Sequence, residues 1–314
     1  MSPPLKLGTR GSDLARSQAG WVCTALAAHG VAVELVIVRT RGDAEVDRPL
    51  HELEGKGFFT KELEDALLAG RIDVAVHSLK DLPTQLPEAL ALAAVPPRAD
   101  PGEVLVARAA GVHTIADLPA GARIGTSSLR RVAQLRYLRP DLEIVALRGN
   151  VPTRLRKVRE GTGGLAAALL AEAGLERLAL TAAIAGRLDP LEVMPAPGQG
   201  ALGLELRSDD ARARDALAPL EHPPSAQQVA AERSLLAALE GGCQAPVAAY
   251  CRSGEDRGAT GAMGGGRLFG RVTARDGSVQ LTASAALDAR DPAAAGRTVA
   301  DLLRAQGASR LLGR

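Results

Sequence analysis

Twice in this chain a short apolar strand runs into a glycine and a cluster of hydroxyls, and from there into a helix. In the first instance residues 5–7 lead into Gly8-Thr9-Arg10-Gly11-Ser12 and a helix over about 13–29. In the second, residues 122–124 lead into Gly125-Thr126-Ser127-Ser128-Leu129-Arg130-Arg131 and a helix to about 138. This succession limits the fold strongly, because strands separated by helices pair in parallel and a parallel sheet needs helices packed on it. Strands over 31–38, 72–76 and 143–147 and helices over about 60–69 and 152–159 continue the alternation. The apolar run 165–173 fits a strand or a helix, since an unbroken apolar stretch has no diagnostic period. Proline and glycine punctuate the chain near 96–102 and 194–201, which read as a hinge or crossing. Beyond them come a helix over about 225–239, strands near 246–250, 267–274 and 279–286, and a last helix over about 292–306.

Both strand–glycine–hydroxyl motifs collect free backbone amides at a helix N-terminus, where the macrodipole favours an anion. Arg10 lies inside the first; Arg130 and Arg131 lie one turn into the second. Adjacent helical residues point about 100° apart, so at most one of that pair is expected to aim at a given pair of oxygens. Arg148 before Gly149, and Arg154 in the next helix, add cations at the strand ends, where open α/β sheets bind ligands. The ordinary alternative is Ser/Thr capping with surface arginines. A net charge of +2 gives no bulk attraction to polyanions, so anion binding must be local. Of 38 basic residues only Lys6, Lys56, Lys61, Lys80 and Lys157 are lysines, and the remaining arginines are the better fork for carboxylate or phosphate.

Lys80-Asp81 follows the buried strand 72–76. Asp81 is either a turn cap or a carboxylate that stays ionised among cations and stabilises developing positive charge. His77 reads as structural, having no partner at metal spacing. Cys243 is preceded by Gly241-Gly242 and followed by Pro246, a setting that presents a thiol clear of its backbone; an inert buried cysteine is the alternative. The polar stretch 39–57 reads as a lid or a solvated loop, and the Gly-rich span 254–266 as a mobile loop. Aromatic content of 2% excludes a stacking platform for single-stranded nucleic acid. No signal peptide or membrane-length apolar run is apparent, and Cys23, Cys243 and Cys251 lack metal spacing, so a reducing cytoplasm is expected. At this stage three functions stay open: chemistry on a covalently held polyanion, a thiol-dependent acyl transferase, and a two-lobed anion-binding protein without chemistry.

The blocks Thr9-Arg10-Gly11-Ser12, Thr40-Arg41-Gly42-Asp43, Gly55-Lys56-Gly57-Phe58-Phe59, Ala75-Val76-His77-Ser78-Leu79-Lys80-Asp81, Gly125 to Arg131, Leu147-Arg148-Gly149-Asn150-Val151, Gly198-Gln199-Gly200-Ala201 and Ala231-Glu232-Arg233 with Leu239 to Val247 closely resemble the porphobilinogen deaminase (hydroxymethylbilane synthase) family. The resemblance runs from residue 9 to about 250. It implies an α/β protein with two periplasmic-binding-protein-like α/β domains, 1–97 with 200–218 and 98–199, and a third, smaller α+β domain, 219–314, that carries the cysteine. It also implies a dipyrromethane cofactor on Cys243 through a thioether. Porphobilinogen would lose ammonia to give an electrophilic azafulvene, which the terminal pyrrole of the cofactor attacks. Four rounds and a hydrolysis would release hydroxymethylbilane. Asp81 would be catalytic, stabilising positive charge on the pyrrole nitrogens.

By the same resemblance the cofactor would be held by Lys80, Asp81, Thr126, Ser127, Ser128, Arg130, Arg131 and Arg154. The substrate would meet Arg10, Ser12, Phe59, Arg148, Arg154, Arg177 and Gln199. The protein would be a cytoplasmic monomer with porphobilinogen as its small-molecule partner, and would bind neither metal, nucleic acid nor membrane. The chain departs from the family pattern at Gly161-Thr162-Gly163-Gly164-Leu165-Ala166, where relatives carry a Tyr-Asp-Ala run.

Overall fold

In the computed structural model of the protein, which describes residues 3–40, 60–239, 246–252 and 266–313, the sequence alternation becomes three sheets. The strands are β1 (Leu5–Arg10), β2 (Val33–Val38), β3 (Val74–Ser78), β4 (Leu90–Ala94), β5 (Glu103–Ala107), β6 (Arg123–Gly125), β7 (Glu143–Val145), β8 (Leu165–Ala171), β9 (Gly186–Arg187), β10 (Leu202–Arg207), β11 (Val247–Arg252), β12 (Arg267–Thr273) and β13 (Gln280–Ala286). The helices are α1 (Asp13–Ala28), α2 (Lys61–Leu68), α3 (Leu129–Leu138), α4 (Val151–Glu160), α5 (Glu172–Arg177), α6 (Ala211–Leu217), α7 (Pro223–Ala238), α8 (Pro292–Ala305) and α9 (Ala308–Leu311).

By contacts the described chain falls into two compact units. One contains residues 3–40, 60–99 and 200–226, and the other contains 100–199 with 227–313 apart from the undescribed stretches. The first unit is built on a five-stranded sheet of order β2-β1-β3-β10-β4. Here β1 pairs in parallel with β2 and β3, while β10 runs antiparallel to β3 and β4. The second unit contains a five-stranded sheet of order β7-β6-β8-β5-β9. Its β6 pairs in parallel with β7 and β8, and β5 runs antiparallel to β8 and β9. The two sheets share one arrangement: three parallel strands (β2-β1-β3 and β7-β6-β8), then an antiparallel strand (β10 and β5), then a fifth (β4 and β9). This is a repeat of topology with no fixed period in the sequence. The third sheet, β11-β12-β13, is wholly antiparallel and belongs to the second unit.

Helix α1 shows how the pattern is read locally. Ser12 caps it by accepting from the Ala15 N–H at 3.3 Å, and its buried residues Ala15, Ala19, Val22 and Leu26 recur at helical spacing. Val22 and Leu26 are fully buried against β1, β3 and β10 residues, each contributing about 1.5–3 kcal/mol of apolar burial. A second core lies across the sheet between α2 and Ile72, Ala75 and Leu90. In the second unit, separate cores form on the two faces of the β5–β9 sheet, and a third joins α7, α8 and the β11–β13 sheet.

The ambiguous run 165–173 resolves into both alternatives: β8 ends at Ala171 and α5 begins at Glu172. The atypical segment before it forms a left-handed cap at Gly161 (φ 66°) and a further positive-φ turn at Gly163 (φ 63°). Those two positions suit glycine and deliver the chain into β8. β4, β5, β10 and α6 are elements the sequence reading did not assign. The 41–59, 240–245 and 253–265 stretches, which include most of the expected lid and of the Gly-rich loop, lie outside the described residues.

Candidate active site

In the first unit, parallel pairing brings the carboxyl ends of β1, β2 and β3 to one edge, so Arg10, Ser12 and the Lys80-Asp81 pair share that edge. Beyond Ser78 the chain makes a single 3₁₀ turn over Leu79–Asp81. The Leu79 N–H donates to the Ala201 carbonyl (3.0 Å) and the Leu82 N–H to the Leu79 carbonyl (3.2 Å). Leu79 and Leu82 are buried on either side of the turn, which leaves Lys80 and Asp81 half-buried between them. Gly203 makes room for this anchor: a Cβ there would stand 2.8 Å from Leu79 Cδ1. Ser78 is held from α1, with Gln18 Nε2 2.8 Å from its Oγ. His77 is buried on β3, its Nε2 2.9 Å from Glu205 Oε2, which gives it the structural role expected of it. The Ser12 hydroxyl caps α1 in the ordinary manner.

In the second unit the parallel strands β6, β7 and β8 deliver Thr126-Ser127-Ser128, Arg148 and the helix bearing Arg177 to one edge. Because β5 is antiparallel, its first residue, Glu103, arrives at that edge opposite Ala171. Ser127 joins two strand ends, its Oγ donating to the Leu147 carbonyl (2.9 Å) and accepting from the Leu147 N–H (3.1 Å). Thr126 Oγ1 accepts from the Ser128 N–H at 3.3 Å, whereas Ser128 stands at the N-cap of α3 without a side-chain capping bond. Arg148 is half-buried, and its carbonyl accepts from Lys157 Nζ (3.2 Å). Arg154 donates from Nε to the Gly149 carbonyl (2.8 Å), which fixes its stem beside Arg148. Arg177, half-buried at the end of α5, has its guanidinium pushed down by burial to about 10, with Glu176 opposing. Gln199 is buried and donates from Nε2 to the Pro101 carbonyl (2.8 Å), so part of its amide braces the chain crossing.

Arg130 and Arg131 are not surface cations, and the expectation that at most one could aim at a given oxygen pair is corrected. Both are buried (6% exposed), and both reach the carboxylate of Glu103. Arg130 Nη2 donates to Oε1 at 2.5 Å and Arg131 Nη2 to Oε2 at 2.6 Å. The 100° between their Cα–Cβ directions is taken up by long side chains that bend back to a common acceptor. Arg131 Nη1 also donates to the Leu169 carbonyl (3.0 Å), and Arg130 Nη1 to the Met194 carbonyl. Burial pushes the Arg130 guanidinium below its ordinary value, the Glu103 charge opposes this, and Arg131 adds to it. Two buried cations share one anion, and among the described residues Arg131 Nε has no acceptor. Such a cluster fits a further carboxylate.

Residues 5–215 match the family model described as "Porphobilinogen deaminase, dipyromethane cofactor binding domain", and 226–305 match its C-terminal domain. The chain belongs to the porphobilinogen deaminase family. It is similar to the porphobilinogen deaminase of Moorella thermoacetica, with 50% identity over 98% of this chain and 95% of that one. It is also similar to that of Syntrophobacter fumaroxidans, with 48% identity over 98% and 96%. A solved periplasmic substrate-binding protein of an ABC transporter from Coxiella burnetii is similar at 14% identity and a TM-score of 0.43, over 73% of this chain and 96% of that one.

Porphobilinogen deaminase family members are transferases, and the matched cofactor-binding domain covers both strand-end edges described above. Among the described residues no cluster of His, Cys, Asp and Glu could hold a metal ion, and no helix is long and apolar enough to cross a membrane. Cys243 and Phe59 lie outside the described residues; the described chain before the cysteine stops at Leu239 and resumes at Pro246. Sequence reasoning missed Glu103, just past the proline-glycine crossing, and Gln134 and Arg271, which carried no local signal; Glu232 was noticed only as part of a family-like block.

Proposed function

We propose that this chain joins four porphobilinogen units head to tail on a dipyrromethane carried by Cys243, and releases hydroxymethylbilane by hydrolysis, as a cytoplasmic monomer that uses neither nucleic acid nor membrane. The domain division 1–97 with 200–218, 98–199, and 219–314 goes with that reading. The observation that carries it is the buried Arg130–Glu103–Arg131 cluster at the same sheet edge as Thr126, Ser127 and Ser128, inside the matched cofactor-binding domain. The cofactor supplies the free pyrrole α-carbon from which the chain grows. Arg130, Arg131 and Arg154, with the hydroxyls of Thr126, Ser127 and Ser128 and with Lys80, hold its acetate and propionate groups. Arg10, Ser12, Phe59, Arg148, Arg154, Arg177 and Gln199 receive the substrate's side groups and amine end.

Asp81 is the catalytic residue. Its turn is fixed by Leu79 and Leu82 in the core and by the Ala201 carbonyl, and a carboxylate held in this way would stabilise positive charge developing on a pyrrole nitrogen without reorganisation. A preorganised charge of this kind acts on the transition state more than on the bound ground state, so its loss falls on kcat. Asp81→Asn is expected to keep the two-pyrrole mass increment and to lower kcat by about 100- to 1000-fold. A variant turning over within a few-fold of wild type would remove Asp81 from the mechanism.

A further inference from the structure

In the second unit the β11–β13 sheet is fastened to the α3 region largely through side chains. Arg271 on β12 is buried, and its Nη1 donates to Gln134 Oε1 (2.9 Å) and to the Glu192 carbonyl (2.9 Å). Its Nη2 donates to the Leu191 carbonyl (2.7 Å). Gln134, also buried, brackets Met194: its Oε1 accepts from the Met194 N–H (2.8 Å) and its Nε2 donates to the Met194 carbonyl (3.0 Å). The second lone pair of that carbonyl accepts from Arg130 Nη1, and the other arm of Arg130 holds Glu103. Arg130 and Gln134 stand one turn apart on the same face of α3. A continuous run of hydrogen bonds therefore leads from β12 through Arg271, Gln134 and the Met194 carbonyl to the Arg130 guanidinium.

Other contacts hold the same sheet independently. The Ala249 N–H donates to the Pro195 carbonyl at 3.1 Å. Buried Glu232 accepts from the Gly198 N–H and the Cys251 N–H, each at 2.8 Å. Arg136 Nη1 donates to the Arg275 carbonyl (2.8 Å), and the Gly277 turn lies so close that a Cβ there would stand 2.6 Å from the Arg136 backbone carbon. The Arg271 connection is thus more than attachment requires. Its distinctive feature is that it ends on a guanidinium assigned to the cofactor.

We infer that Arg271 and Gln134 are positioning residues for the reaction: they set the Arg130 fork for a cofactor carboxylate, in register with the sheet that follows the Cys243 segment. This rests on the proposed tether at Cys243 and the proposed cofactor role of Arg130. A hydrogen-bonded arginine chain transmits position because each guanidinium is a rigid planar fork, and a carbonyl with both lone pairs engaged has little freedom to shift. Removing Arg271 frees Gln134 Oε1 from one of its two donors and releases the Leu191 and Glu192 carbonyls, so the Met194 carbonyl that receives Arg130 is held by Gln134 alone and shifts more freely, while Glu103 stays in place.

The test uses the full-length holoenzyme with Arg271→Met, Arg271→Lys and Gln134→Leu, each alone and combined with Arg130→Lys. Intact mass, melting temperature, and kcat and KM for porphobilinogen are measured. Arg271→Met should keep the two-pyrrole increment and lose about tenfold in kcat with KM nearly unchanged, the effect of one charge-assisted hydrogen bond acting on the cofactor rather than on incoming substrate. Arg271→Lys should recover part of that loss. On the Arg130→Lys background Arg271→Met should cost less than about twofold more, because both act through the same group. Unchanged kcat in Arg271→Met, or losses that simply multiply with Arg130→Lys, would overturn the inference while leaving the tether intact. Wild-type protein lacking the increment would overturn the tether and the inference together. Should Arg271→Met fail to fold, Gln134→Leu is held to the same kinetic criteria.

Discussion

Glu103→Gln is the sharpest probe of the buried arginine cluster. The carboxylate is fully buried and takes one fork on each oxygen, at 2.5 and 2.6 Å. Glutamine keeps the volume but removes the charge, and it turns one acceptor into an NH₂ facing a guanidinium. Breaking a buried ion pair by removing one partner costs about 3–5 kcal/mol, because the partner charge stays buried without compensation. Here the uncompensated charge is double. For a unfolding body of this size each kcal/mol moves the midpoint by roughly 2–4 °C, so the fall should be about 10 °C or more. Differential scanning calorimetry of the holoenzyme reads this directly, with Glu103→Asp as the control. Aspartate keeps the charge but is too short to engage both forks equally, so it should melt between the two. A Glu103→Gln protein melting within about 2 °C of wild type would refute the view that this carboxylate is what makes two buried arginines tolerable.

Two further outcomes follow from local geometry. Gly203→Val would drive a side chain into Leu79 Cδ1 and Leu92 Cδ1, which would lie 2.8 and 3.0 Å from the new Cβ; overpacking of about 1–3 kcal/mol should accompany a kcat loss larger than any change in KM, since the Asp81 turn is displaced. A normal kcat would show that the turn does not depend on that packing. Asp141, which accepts from Arg139 Nε and Nη2 at 2.8 Å each, has its carboxyl lowered to about 2, chiefly by those bonds. A folded-state value below the unfolded one gives a contribution present above about pH 3.9 and lost as pH falls toward 2. The difference in urea midpoint between wild type and Asp141→Asn should therefore shrink from pH 5 downward, and a gap independent of pH would contradict the assignment.

The strand ends were legible because each is announced locally: glycine for close packing, hydroxyls for capping or anion contact, then arginines. That logic located the start of α3, whereas the Leu79–Asp81 turn was marked only by a carboxylate following a buried strand. It could not see Glu103, whose two partners are 27 and 28 residues away in sequence and meet it only because β5 runs antiparallel to β8. The same antiparallel strands, β5 and β10, were among the elements left unassigned. They enter their sheets beside proline-glycine crossings, where punctuation dominates the pattern. Treating Arg130 and Arg131 as vectors fixed by helical phase failed for a related reason, since side chains this long obey their acceptor more than their Cβ direction. Arg271 reaches Gln134 across 137 residues, and only the folded second unit brings them together.

The proposed chemistry depends on a primer held at Cys243, and intact-protein mass spectrometry of freshly purified enzyme tests this most directly. The expected result is a single species heavier than the bare chain by two pyrrole units, extended by further units on brief exposure to porphobilinogen, with the increment absent from Cys243→Ser. An active preparation whose mass equals that of the unmodified chain would contradict it.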